Sequence, residues 1–192
     1  MVEVMPDPQL SAPPAPRPTG NPLEELFDGL PSTLRRWLRL VRVDPTARQG
    51  SPLPMRWAVA LLVANAASLI ADAILVVIGE WIFPSTQGFP HFQFSDYGKL
   101  TIVGVTIACV AWPVVTWISS QPRWLFLRLA VLVTLVLWLP DLWILHRGEP
   151  IRGVGILMLM HLAIALITYP ALVRLAPAGP AGERSGLASD RA

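Results

Sequence analysis

Three ionisable residues lie inside long apolar stretches of the sequence: Asp72, Asp141 and His161. A charge in the hydrocarbon core of a membrane is costly, so such groups usually face protein or water and mark functional sites. Neighbouring carboxylates can share a proton or a cation, and histidine changes its charge near neutral pH. These residue types therefore point to proton exchange or cation binding.

A polar stripe runs along the same stretch as Asp72. Asn65 and Ser68 precede it at the spacing i, i+3, i+7, which places the three side chains on one helix face. The stripe has two interpretations. In the first, Asp72 and Asp141 exchange protons or hold a cation in a polar pocket, with His161 at its floor. In the second, the polar groups form hydrogen bonds between helices, such as one from Asn65 to His161, and fix the helix packing.

The sequence contains no local motif for a metal or a cofactor. The zinc motif H-E-x-x-H is absent, and a single cysteine, Cys109, excludes a cysteine pair. The nucleophile motif G-x-S-x-G and a phosphate-binding glycine loop are also absent. We therefore expect no metal, no cofactor and no catalytic residue.

The chain is too apolar for an ordinary soluble domain of its size. Of its 192 residues, 53% are hydrophobic and 15% are charged, whereas about 25% are charged in soluble domains. Four stretches are long enough to cross a bilayer core of roughly 30 Å as helices. They are residues 57–79, 100–118, 125–145 and 153–173. The sequence thus predicts an all-α protein, with a four-helix transmembrane bundle over residues 55–174.

Basic residues are distributed unevenly around these spans. Three of them, Lys99, Arg147 and Arg152, lie near span ends on the side away from the termini. Nine lie on the side of the termini: Arg39, Arg42, Arg48, Arg56, Arg123, Arg128, Arg174, Arg184 and Arg191. Because basic residues favour the cytoplasmic side, both termini are predicted to be cytoplasmic.

The rise of a helix then gives the depth of each ionisable group. Asp72 should lie about 24 Å from the inner boundary, and Asp141 at a similar height. His161 should lie about 13 Å from the outer boundary. We therefore expect both carboxylates in the outer third of the membrane, and His161 near the midplane, level with Asn65.

An aromatic segment, residues 80–99, connects the first two spans. Its six aromatic residues are Trp81, Phe83, Phe89, Phe92, Phe94 and Tyr97. Aromatic rings favour the membrane interface, so we predict that the segment folds over the mouth of the bundle as a plug. A lid over a ligand site is the alternative. The other two loops are short, which predicts that the last three spans pack as antiparallel neighbours.

The N-terminal residues have two different characters. Residues 1–22 are rich in proline and predict a disordered tail, as do residues 175–192 at the other end. Within residues 23–54, Leu34, Trp37, Leu38 and Val41 recur on one helix face. The opposite face carries Arg35, Arg36, Arg39 and Arg42. This pattern predicts a basic amphipathic helix on an anionic leaflet. Packing under the bundle, or pairing with the acidic segment before it, which carries Glu24, Glu25 and Asp28, is the alternative.

The second span carries small residues at helical spacing. Gly104 and Ala108, with Ala111 one turn further, form a small-xxx-small face. Such faces let helix backbones approach closely in membranes. We therefore predict helix packing through these three residues.

The membrane part of the chain, about residues 56–172, resembles small actinobacterial four-span membrane proteins classed as a domain of unknown function. The features that carry the resemblance are Ala64-Asn65, Leu139-Pro140, and the run Leu159-Met160-His161-Leu162 followed by Pro170. The resemblance implies a four-span architecture in the plasma membrane of a bacterium, and it implies no reaction. The long N-terminal tail, the aromatic segment and Asp141 depart from the pattern.

These observations favour a non-enzymatic scaffold or accessory subunit that docks a partner through its N-terminal segment or its small-residue faces. The expected partners are the lipid bilayer, anionic headgroups, and another membrane protein or a second copy of the chain; no nucleic acid is expected. The alternative function is a small ligand- or proton-handling membrane protein with an outward-facing polar pocket. An intramembrane enzyme that modifies lipid is a third interpretation.

Overall fold

The structure is a computed structural model that describes residues 26, 28–40, 43 and 50–179. The predicted N-terminal tail, Arg42 and most of the predicted C-terminal tail lie outside these residues. Five α-helices are described: α1 Ser32–Leu40, α2 Pro54–Ile82, α3 Phe94–Ile118, α4 Pro122–His146 and α5 Ile151–Leu175. The described residues contain no β-strand, only an isolated bridge between Gly50 and Gly179.

Helices α2 to α5 are each long and apolar enough to cross a membrane. This confirms the predicted all-α, four-helix membrane bundle, and the chain is a multi-pass membrane protein. Each helix is longer than its predicted span, because hydropathy stops at the first polar residues whereas backbone hydrogen bonding continues past them. Proline occupies the first position of α2 and α4, where its missing N–H has no intrahelical partner to lose.

The bundle is centred on α5, which packs against α2, α3 and α4. Helix α3 also contacts α2 and α4, so α2 and α4 lie at opposite corners. We name the two ends of the bundle by these helices. At the terminal end α2 begins and α5 ends, and at the loop end α2 ends and α5 begins.

Two separate apolar clusters fill the bundle, one near each end. The terminal-end cluster consists of Ala60, Ala64, Val105, Cys109, Trp112, Val115, Leu125, Phe126, Leu172 and Ala176. The loop-end cluster consists of Val76, Phe89, Phe92, Tyr97, Ile156 and Met160. Some of the buried polar side chains, among them Ser68, Asp72 and Thr101, lie between the two clusters.

Indole groups join the helices at the terminal end. The Nε1 of Trp57 donates a hydrogen bond to the carbonyl of Cys109 at 2.8 Å, and the Nε1 of Trp112 donates one to the carbonyl of Ala176 at 2.7 Å. The chain before α2 is tied to the chain after α5 by two backbone hydrogen bonds at Gly50, of 2.8 and 2.9 Å. This end of the bundle is therefore closed by both packing and hydrogen bonds.

The loop between α2 and α3 is shorter than the predicted aromatic segment, because α2 continues to Ile82 and α3 begins at Phe94. Two short 3-10 turns, Pro84–Thr86 and Pro90–Phe92, fold the connecting residues back over the bundle. The rings of Phe89, Phe92 and Tyr97 are buried in the loop-end cluster, whereas Trp81 and Phe94 project outward from the helix ends. The centre of the segment thus covers the loop end.

The close helix approach predicted at Gly104 on α3 is not found there. Gly104 is exposed, and a Cβ at this position would meet nothing within 4 Å. The buried face of α3 runs through Thr101, Val105 and Cys109 instead. Residue spacing shows which residues share a helix face but not the direction in which that face points. The face through Gly104 is rotated by about one residue, or about 100°, from the face of α3 that points to the core. Ala108 and Ala111 are accordingly only partly buried.

Glycines on α2 and at the start of α5 make the close approaches. A Cβ added at Gly79 would overlap the side chain of Ile156, and one added at Gly153 would lie 3.3 Å from ring atoms of Phe89. Both glycines are buried. The contact between Gly79 and Ile156 therefore sets the register between α2 and α5.

We expect Gly79→Leu to lower the free energy of unfolding by about 1–3 kcal/mol, because the larger side chain would displace Ile156. Gly104→Leu is the matched control and should change it by less than about 0.5 kcal/mol. Unfolding by sodium dodecyl sulfate in mixed micelles, followed by circular dichroism, measures both. Equal losses in the two variants would contradict this register.

Candidate functional site

One face of α2 carries the predicted polar stripe into the bundle. Ser68 and Asp72 lie one turn apart on this face, and both are completely buried. They continue the line of small residues Ala60 and Ala64, which lets the neighbouring helices pack close to the backbone. The four-residue spacing of this line follows the pitch of the helix, so the stripe stays against the core.

Asp72 is held by a hydroxyl of the next helix. The Oγ1 of Thr101 donates a hydrogen bond to Oδ2 of Asp72 at 2.6 Å, and both residues are buried. No ion pair to Asp72 occurs among the described residues. The carboxyl group therefore has a neutral protein partner on one oxygen only.

A second acidic group pairs with the histidine. The Nδ1 of His161 on α5 lies 3.0 Å from Oδ2 of Asp141 on α4. Asp141 is buried and His161 is partly buried. Close by, the Nε1 of Trp138 donates a hydrogen bond to the carbonyl of Met158 at 3.1 Å, which fixes α4 against α5 at this level.

The two pairs belong to one group of side chains. Asp72 and His161 each lie ten residues, or about 15 Å, from the loop end of their helices. Asp72 interacts electrostatically with His161 on α5 and with Tyr97 on α3. Helix α5 packs against both α2 and α4, and its histidine is paired with the carboxyl group on α4. We call Asp72, Thr101, Asp141 and His161 the polar cluster.

Two sequence-based expectations about this site are wrong. His161 was expected level with Asn65, and one of the two interpretations gave it a hydrogen bond to Asn65, but it lies level with Asp72 and pairs with Asp141. The Nδ2 of Asn65 donates instead to the carbonyl of Leu61 on its own helix at 2.9 Å. The depth estimate failed because α2 continues three residues past its predicted end at Gly79, which moves Asp72 about 4.5 Å further from the outer boundary, toward the level of His161.

Several buried oxygen atoms around the polar cluster have no hydrogen-bond partner in the described part of the chain. They are Oδ1 of Asn65, Oγ of Ser68, Oδ1 of Asp72 and Oγ1 of Thr168. Buried polar groups are nearly always hydrogen-bonded, to protein or to an ordered water or ion. Four oxygen atoms at and beyond the level of Asp72 are therefore able to accept hydrogen bonds.

Sequence reasoning missed Thr101, Thr168 and Tyr97. Threonine is common in apolar helices, and Thr106 on α3 gives the same sequence signal as Thr101 although it is only partly buried. The facing helix decides which of them becomes a partner. In the described residues, no group of three or more histidine, cysteine or acidic side chains comes together as a metal site.

Three of the four basic residues predicted to contact lipid, Arg35, Arg36 and Arg39, lie on α1, and Arg42 is outside the described residues. Arg36 and Arg39 are exposed, and Arg35 forms an ion pair of 3.5 Å with Asp28. The apolar side chains of the same helix, Leu34 and Trp37, are also exposed. Helix α1 is therefore not buried under the bundle, and it contacts the acidic segment before it.

We expect Thr101→Val to lower the free energy of unfolding by about 1–3 kcal/mol, because the Asp72 carboxyl group would lose its protein partner. Thr106→Val, on the same helix, is the control and should have little effect. The same detergent unfolding titration measures both variants. If the free energy of unfolding falls equally little in both variants, the hydrogen bond between Thr101 and Asp72 does not stabilise the bundle.

Comparison with known proteins adds no assignment to this geometry. No protein-family model matches the chain, and no curated protein or solved structure matches it either. The resemblance to four-span actinobacterial proteins stays a prediction. Any function must therefore be inferred from the polar cluster and its surroundings.

Proposed function

We propose that this membrane protein binds and releases protons at the polar cluster inside its bundle. The observation that carries the proposal is the contact of 3.0 Å between Nδ1 of His161 and Oδ2 of Asp141. Histidine is the side chain whose charge changes most readily between about pH 5 and 8. Because a carboxylate lies at hydrogen-bond distance, protonation of the histidine forms an ion pair within the membrane, and deprotonation removes it.

The surroundings of His161 transmit its charge to two other helices. Asp141 on α4 is its hydrogen-bond partner, and Asp72 on α2 interacts with it electrostatically. Protonation therefore alters electrostatic interactions between α5 and both α2 and α4. A change of that kind can bias helix packing, as in other histidine-based pH switches.

The apolar clusters favour proton binding over proton conduction. The terminal-end cluster, with Trp112 at its centre, separates the polar cluster from that end of the bundle. A continuous polar path across the membrane is therefore not supported by the described side chains. Exchange from the loop end, past the aromatic segment, is the shorter route.

The proposed setting is the plasma membrane of a bacterium with both termini in the cytoplasm. The uneven distribution of basic residues supports this orientation, since Arg123, Arg128 and Arg174 lie at the terminal end. The polar cluster would then exchange protons with the outer side. Its charge would report the external pH.

A second candidate function, the scaffold or accessory subunit, is favoured by α1. Three of its apolar side chains, Leu34, Trp37 and Leu40, are 44%, 68% and 61% exposed. Arg128 at the start of α4 approaches the carbonyl of Leu40 at 3.5 Å, which places α1 beside the terminal end. An exposed apolar face beside arginines supports docking on anionic headgroups, or on a partner protein at the same membrane face.

Nuclear magnetic resonance of the histidine side chains, with the protein in lipid nanodiscs, tests the first proposal. We expect the His161 signals to change with pH, and Asp141→Asn to alter that change, because the substitution removes the carboxylate at hydrogen-bond distance. The exposed His91 and His146 serve as internal controls, and Asp141→Asn should leave their curves unchanged. A His161 signal that ignores both pH and Asp141→Asn would contradict proton binding at this pair.

Liposome flotation of a peptide of residues 21–50 tests the second proposal. We expect the peptide to float with anionic vesicles and to remain unbound with neutral ones, because each arginine near an anionic surface contributes about 1 kcal/mol. Replacing Arg35, Arg36 and Arg39 with glutamine should abolish the difference. Equal binding to both vesicle types would exclude headgroup recognition by charge.

A further inference from the structure

The terminal side of the polar cluster presents oxygen atoms to a common space. Ser68 and Asp72 lie four residues apart on α2, so their side chains are neighbours on one face. Both are completely buried, and neither Oγ of Ser68 nor Oδ1 of Asp72 has a hydrogen-bond partner in the described residues. Two oxygen atoms without a described partner therefore lie one helical turn apart.

Helix α5 brings a third oxygen to this level. The contact between Gly79 and Ile156 fixes the antiparallel register of α2 and α5. Ser68 lies eleven residues from Gly79, and Thr168 lies twelve residues from Ile156, so the two agree in height within about 1.5 Å. Thr168 is 4% exposed, and its Oγ1 has no partner in the described part of the chain.

Asp72 has no ion-pair partner among the described residues. Its described hydrogen bond comes from the neutral Thr101. An ionised carboxylate buried between apolar clusters is strongly unfavourable without a counter-charge. One monovalent cation beside an ionised Asp72 supplies that charge.

The donor atoms indicate which positive charge fits. Carboxylate and hydroxyl oxygens are hard ligands, which suit alkali and alkaline-earth ions better than transition metals. The nearest imidazole, that of His161, is directed to Asp141. The amide oxygen of Asn65, three residues from Ser68 on the same helix, adds another unpartnered acceptor at the edge of the group.

We infer that Ser68, Asp72 and Thr168 form a binding site for a monovalent alkali cation, with Na⁺ as the ion to be tested. The inference deepens the proposed function, since Asp72 belongs to the same polar cluster, but it does not use the titration of His161. Bound Na⁺ neutralises Asp72 and satisfies oxygen atoms on both α2 and α5. It therefore joins these two helices at the level of the histidine.

Binding is measured on the full chain in detergent or nanodiscs by ²²Na⁺ scintillation proximity and by thermal unfolding. The comparison is NaCl against choline chloride at constant ionic strength and constant pH. We expect saturable ²²Na⁺ binding, and a Tm that rises with NaCl concentration, because the ion binds the folded state. Absence of both effects would overturn the inference and leave water, or a proton on Asp72, as what satisfies these atoms.

Matched variants then locate the site. Thr168→Val removes the hydroxyl at nearly constant volume and should weaken Na⁺ binding by about tenfold or more. Thr168→Ser keeps the hydroxyl and should retain binding, and Thr106→Val on α3 should bind like the unaltered chain. Ser68→Ala should resemble Thr168→Val, and Asp72→Asn should abolish binding.

Two outcomes separate this inference from the proposed function. If Thr168→Val and Thr106→Val bind Na⁺ equally well, the cation site lies elsewhere and the inference fails, while the His161 titration still stands or falls by its own measurement. If Na⁺ binds as expected but His161 does not titrate, the cation site is upheld and proton binding at the Asp141–His161 pair is contradicted.

Discussion

A buried carboxyl group in an apolar bundle has to find its partner inside the protein, and the rest of this structure is arranged around that constraint. Asp72 is completely buried and receives one described hydrogen bond, from Thr101. Asp141 instead pairs with His161. In a medium of low dielectric constant both interactions require neighbouring helices at a fixed height. Helix register is therefore a functional property of this bundle, because it decides which polar groups meet.

The register depends on packing on either side of the polar cluster. Toward the loop end, the absent side chain of Gly79 admits Ile156, and Phe89 packs against Gly153. Toward the terminal end, the indoles of Trp57 and Trp112 donate hydrogen bonds to backbone carbonyls of other segments. These contacts hold the helices at both ends, and the hydrogen bond between Thr101 and Asp72 joins α2 and α3 between them.

The sequence predicts the architecture well and the site only in part. Four apolar stretches identify the helices, and residue type alone identifies Asp72, Asp141 and His161. The pairing of Asp141 with His161 could not be predicted, because it depends on the register between α4 and α5, where Trp138 donates a hydrogen bond to the carbonyl of Met158. The partner Thr101 has no sequence feature that separates it from Thr106. The small-residue face at Gly104 failed for a similar reason, since spacing defines a face but not the direction in which it points.

The central claim is that Asp141 and His161 act as one unit whose interaction depends on protonation. A double-mutant cycle of Asp141→Asn and His161→Gln measures this most directly, from the free energies of unfolding of the four proteins in lipid at pH 5 and pH 9. The account predicts a coupling energy of roughly 0.5–3 kcal/mol, typical of residues in contact, that differs between the two pH values. Additive effects of the two substitutions at both pH values would contradict it.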